Sequence, residues 1–116
     1  MRGFVGYLGE FEQLILFSVV KLGPEAYGGA IRETIEAHTG RIVSSGAINT
    51  TLGRLAERKF VTSTTAAPTA GRAGRPRKYY AVTPAGARAL RDSYARIQAI
   101  AGGVLPQLAA LAEDEP

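Results

Sequence analysis

The side chains best suited to chemistry fall in two short stretches. Between Ser44 and Arg54 stand Ser44, Ser45, Gly46, Asn49, Thr50 and Arg54. An asparagine amide can make paired hydrogen bonds to an adenine edge, a threonine can bond a base or phosphate or touch a thymine methyl, and glycine permits close approach. Ser44 and Ser45, with the amides of a helix start behind them, suit a phosphate. Arg54, at the border of the same face, would reach a phosphate backbone. The second stretch is cationic: Arg72, Arg75, Arg77 and Lys78. Such residues meet phosphates or an adjacent minor groove, position more than they specify, and make affinity fall steeply with salt.

Other chemistries lack the residues they need. There is no cysteine, so disulfides, thiolate metal sites and thiol nucleophiles are excluded. The one histidine, His38, cannot build a zinc site alone, and its spacing places it on the core side of a helix near the C-terminus, where an imidazolium would favour the dipole. GRAGRP lacks the Lys-Ser or Lys-Thr pair of a phosphate-cradling loop, and carboxylates are scattered. No enzyme, metal or cofactor is expected.

The charge of +4 is unevenly spread. Residues 1 to 53 carry four basic and five acidic groups (−1), residues 54 to 91 nine and one (+8), and residues 92 to 116 one and four (−3), which together make +4. No acidic residue lies between Arg58 and Arg91, so a polyanion is the expected partner of the middle third.

These residues must be held by a small scaffold. A chain of 116 residues, 46% hydrophobic and 21% charged, is one soluble globular domain. The longest apolar stretch, Leu14 to Val20, is interrupted by Ser18 and falls short of the roughly 20 residues of a membrane span. Glu10 and Glu12 follow a start without a signal-peptide pattern, so a reducing cytoplasm is the expected location.

Leu8, Phe11, Leu14, Ile15, Val19 and Leu22 recur at helical spacing, and Gly23-Pro24 ends that helix. A second helix is predicted from about Glu25 to Thr39, with Tyr27, Ala30, Ile31, Ile35 and His38 on one side and Gly40 closing it. A third, capped by Ser44 or Ser45, runs to about Lys59 with Ile48, Leu52 and Leu55 inward and Gly46, Asn49, Thr50, Gly53 and Glu57 outward. Phe60 to Thr65 and Tyr79 to Thr83 read as strands joined by a basic loop. Tyr27, Tyr79 and Tyr80 read as core or strand residues, with the Tyr27 hydroxyl a candidate phosphate donor. Thr83-Pro84 starts a last helix. Its residues Leu90, Tyr94, Ile97, Ala101, Val104, Leu108 and Leu111 form a coiled-coil-type seam, which Gly102, Gly103 and Pro106 should kink or break.

Three helices and a hairpin with a basic loop are the order of a winged helix-turn-helix. LGEFEQLILFSVVKLGPEAYGGAI, SSGAINTTLGRLAERKFV and GRPRKYYAVTPAG together resemble the PadR family of bacterial transcriptional regulators, over about residues 8 to 90. The resemblance implies a dimeric winged-helix DNA binder of the bacterial cytoplasm, close to the nucleoid, usually a repressor, sometimes released by a small ligand. Two positions depart from the family pattern: Asn49 stands where an aromatic residue is common, and Lys59 where a glycine commonly ends the helix.

The expected fold is therefore mainly α with a small hairpin: a winged helix-turn-helix over residues 1 to 83 and a C-terminal dimerisation helix over 84 to 116. The expected partners are double-stranded DNA, a second copy of the chain and a small-molecule effector, with no membrane. An effector would sit between the dimer helices and the first helix, among Phe4, Tyr7, Phe11 and Tyr94. An adaptor that binds protein rather than DNA is the competing reading, and nonspecific coating of nucleic acid a third.

Overall fold

The first helix, α1 (Glu10–Leu22), starts where Glu12 reaches back to accept a hydrogen bond from the Gly9 amide at 2.9 Å, and ends at Gly23, whose φ of 59° suits glycine. The computed structural model describes residues 7–67 and 76–113. After α1 come a 3-10 turn (Gly23–Glu25), α2 (Gly28–Thr39), α3 (Ser45–Glu57), β1 (Val61–Ala66), β2 (Arg77–Val82), α4 (Pro84–Ala101) and α5 (Leu105–Ala112).

The helical spacing of the sequence is realised as one core. Ile15 and Leu16 of α1, Ile31 of α2 and Ile48, Leu52 and Leu55 of α3 are essentially inaccessible to water, with Leu8, Phe60, Val61, Ala89 and Leu90 closing the edges. Burying a side chain of this size contributes about 1.5–3 kcal/mol, so this cluster is what holds α3 in place. The hairpin is antiparallel with Val61 opposite Val82 and Ala66 opposite Arg77.

The sequence places the start of α2 too early. Instead of continuing from Glu25, the chain extends through Ala26 and Tyr27 and pairs with the hairpin: the Tyr80 amide donates to the Ala26 carbonyl at 2.8 Å, and Tyr27 bridges Tyr79. Tyr27 thus becomes the extended residue preceding α2 rather than part of its apolar face. Backbone pairing with a strand some fifty residues away outweighs the weak helix signal of Gly28 and Gly29.

His38 is a second correction. It is exposed, with Nδ1 2.9 Å from the Thr34 carbonyl oxygen, at the rim of a shallow cleft lined by Leu14, Phe17 and Lys21 of α1. The buried stripe of α2 stops at Ile35.

The last helix breaks as expected. α4 stops at Ala101, Gly103 turns with φ of 85°, and Pro106 stands in the first turn of α5, where its missing amide costs nothing. At the other end of α4, Thr83 Oγ1 accepts from the Gly86 amide at 3.0 Å and donates to the Lys59 carbonyl at 2.7 Å.

Candidate nucleic-acid interface

The two ends of α3 are both tied down. Ser44 Oγ accepts from the Ala47 amide at 3.0 Å, the capping role its residue type suggests. At the far end the Phe60 amide donates to Leu55 and the Lys59 amide to Ala56, both at 2.9 Å, and Lys59 takes a left-handed φ of 65°. This is the glycine-type helix ending made with a lysine, at a cost of about 1 kcal/mol, and the burial of Phe60 against Leu55 offsets it.

Between those ends α3 is divided as its periodicity predicts. Ile48, Leu52 and Leu55 face inward with Thr51, while Ser45, Gly46, Asn49, Thr50, Gly53, Arg54 and Glu57 are exposed. Asn49 lies over the start of α2: its Oδ1 is 3.4 Å from where a Cβ at Gly28 would stand. Gly53 is mid-helix, where glycine is about 1 kcal/mol worse than alanine, yet beyond the helix's own backbone a Cβ there would meet no atom of the described residues within 4 Å.

The hairpin stands beside this face, and the two form a groove of about 380 Å³. Asn49, Gly53 and Ala56 make one wall, Ser63, Lys78 and Tyr80 the other, and Leu52 contributes to its lining. Burial raises the Tyr80 phenol above its ordinary value, so it stays a neutral hydroxyl. Ser63 and Tyr80 were not singled out as site residues from the sequence. Ser63 pairs with Tyr80 across the hairpin, and side chains two apart on a strand share a face, but that placement needs the register.

Strand alternation also separates two cations that adjoin in the sequence. Lys78 faces the groove, whereas the Arg77 guanidinium lies 3.9 Å from the Tyr27 ring centroid, and that ring meets Tyr79 edge-on at 5.8 Å. Arg77 thus braces the hairpin against the start of α2. Arg72 and Arg75 lie outside the described residues.

The positive field of the middle third is partly answered from elsewhere in the chain. Arg58 pairs with Glu12 at 3.3 Å and donates to the Tyr7 carbonyl at 2.8 Å, and Arg91 pairs with Asp92 at 2.9 Å. The Arg91 hydrogen bond holds the Asp92 carboxyl below its ordinary value despite slight desolvation. Arg41, in the turn before α3, pairs with Glu10 at 2.9 Å. Among the described residues no carboxylate lines the groove itself.

Of the predicted seam, Leu90 does not belong to a surface: it is 5% exposed, inside the protomer's own core, because the first turns of α4 pack on α1. Tyr94, Ile97, Val104, Leu108 and Leu111 are exposed, Ala101 is half-buried, and Ile100 and Leu105 add to the uncovered apolar surface. Tyr7 and Tyr94 line a cleft of about 450 Å³ with Leu14, Phe17 and Ile97 between α1 and α4. Phe11 does not line it; its ring lies under the Arg41 guanidinium at 5.2 Å. Phe4 is outside the described residues. Among the described residues no cluster of His, Cys, Asp or Glu could hold a metal ion, and no helix is long and apolar enough to cross a membrane.

A family model described as the transcriptional regulator PadR-like family matches residues 16–92. The structure is similar to that of a PadR family transcriptional regulator from Eggerthella lenta (26% identity, 85% of this chain and 86% of that one, TM-score 0.65). It is likewise similar to a PadR-like transcriptional regulator from Bacillus cereus (25% identity, 85% and 90%, TM-score 0.66). The Aeropyrum pernix ORC1 protein in complex with DNA shares the fold over 82% of this chain and 27% of that one (22% identity, TM-score 0.60). No curated protein matches the sequence.

Proposed function

The chain belongs to the PadR-like family of transcriptional regulators, and from that premise we propose that it reads a specific DNA site as a homodimer and represses from it. One observation carries the reading: α3 buries its apolar side completely and turns Gly46, Asn49, Thr50 and Arg54 outward, beside a hairpin that brings Lys78 to the same groove. A helix of this section fits a major groove about 12 Å wide, with Asn49 reading a base edge and Arg54 and Lys78 meeting phosphates. Ser44 and Ser45 would face a phosphate at the start of α3.

The uncovered apolar residues of α4 and α5 support pairing of two copies, Tyr94, Ile97, Ala101, Val104, Leu108 and Leu111 forming the seam. In this reading residues 84 to 116 are the dimerisation arm and residues 1 to 83 the DNA-binding unit. The two-fold axis would set both copies of α3 about one helical turn apart on a roughly palindromic operator. A small apolar effector in the Tyr7–Tyr94 cleft, between α1 and α4, would release the repressor by favouring another spacing.

The test is selection of bound fragments from the host genome, followed by affinities for the selected site. Asn49→Ala should change the preferred sequence. Arg75→Ala and Lys78→Ala should weaken binding to every duplex and lower the salt slope by about one each. A wild-type protein retained on protein partners but on no duplex would sink the reading in favour of an adaptor.

A further inference from the structure

We propose that the groove between α3 and the hairpin holds one sugar–phosphate strand of the duplex that α3 enters, and that Gly53 sets how closely that strand approaches. The inference rests on the DNA-reading function above and adds to it a residue and a contact surface.

Among the described residues nothing requires position 53 to be glycine. Gly23, Gly40 and Gly103 hold positive φ angles, and a Cβ at Gly86 would run into the Phe60 carbonyl. At Gly53 the backbone is ordinary helix, and beyond that helix's own backbone a Cβ would meet no atom of the described residues within 4 Å. The bare position weakens the helix without improving any internal packing. What it leaves is room for something outside the chain.

The groove it opens into has donors for phosphate oxygens on its far wall, the Ser63 hydroxyl and the Lys78 ammonium, and among the described residues no carboxylate lines it. Asn49 stands one turn before Gly53 on the same wall. A strand seated against Gly53 is therefore positioned so that Asn49 meets the base edges beside it. Hydrogen bonds to phosphate are lost beyond about 3.5 Å, so a side chain at position 53 would hold the strand outside the reach of Ser63 and Lys78.

Fluorescence anisotropy with a selected site and a random duplex, alongside thermal melting, tests this. Gly53→Ala should raise the melting midpoint by roughly 3 °C through helix propensity while weakening both duplexes several-fold. Gly53→Leu should weaken both tenfold or more and leave the ratio between them unchanged, because a backbone contact carries no sequence information. Combined with Lys78→Ala it should lose less than the sum of the two single effects, expressed as logarithms of affinity. A purely structural role for Gly53 predicts the melting shift alone. Gly53→Leu binding within twofold of wild type, while Lys78→Ala and Arg75→Ala still weaken it, would overturn the groove proposal and leave the DNA reading standing; a wild-type protein that binds no duplex overturns both.

Discussion

The first turns of α4 and the stretch from Tyr94 to the end of α5 share the same apolar spacing but differ in what covers them. At the start, Gly86 fits against the Phe60 backbone, Thr83 bonds both its own helix and the Lys59 carbonyl, and Ala89, Leu90 and Ser93 are buried. Beyond Tyr94, whose ring still touches Phe17 edge-on at 5.5 Å, the apolar residues Ile97, Ile100, Leu105, Leu108 and Leu111 are all more than half exposed. The lesson is that a four-and-three spacing announces an apolar face that needs cover without saying which chain supplies it. The anchored half also begins directly on the C-terminal turn of α3, through the Thr83 hydroxyl that donates to the Lys59 carbonyl.

The sharpest break of the anchored half is Gly86→Ala, since the new methyl can be admitted only by shifting the Phe60 backbone. A loss of about 4 kcal/mol or more is expected, read as failure to fold or a collapsed urea midpoint. Leu90→Ala should cost about 3 kcal/mol at every protein concentration, the signature of a core residue rather than an interface one. Leu108→Asp should do the reverse. Helix content by circular dichroism should persist, while the rise of melting temperature with concentration that the proposed dimer predicts for the wild type disappears and sedimentation reports a monomer. Thr83→Ala removes the cap and the bond to Lys59 and should cost about 1–2 kcal/mol. Lys59→Gly should gain about 1 kcal/mol by relieving the left-handed backbone, with no change in oligomeric state. If Leu90→Ala instead lowered association alone, the division of the arm would be wrong.

Much of the polar face of α3 was readable in advance because it depends on one helix. The 100° advance per residue put Ile48, Leu52 and Leu55 inside and Asn49, Thr50 and Gly53 outside, as they are in the fold. Ser44 and Thr83 likewise cap the helices their positions suggested. The groove was not readable, because Ser63 and Lys78 come to one wall only through the hairpin's register and its packing on α3. The same holds for Arg77, whose stacking on Tyr27 follows from the pairing of Tyr27 with Tyr79.

Apart from the start of α2, which pairing with the hairpin sets, local chemistry determined where helices begin and end, where the arm breaks at Gly102 and Gly103, and which side of α3 is polar. Those outcomes are decided within a turn or two of backbone, by caps, left-handed glycines and periodicity. Tertiary structure decided which apolar residues the protomer keeps for itself and which charges are answered. Leu90 is claimed by packing on α1, and Arg58 is held by Glu12, 46 residues away. Burial and ion pairing depend on what arrives from elsewhere in the chain, and a pattern read along one helix does not contain its neighbour.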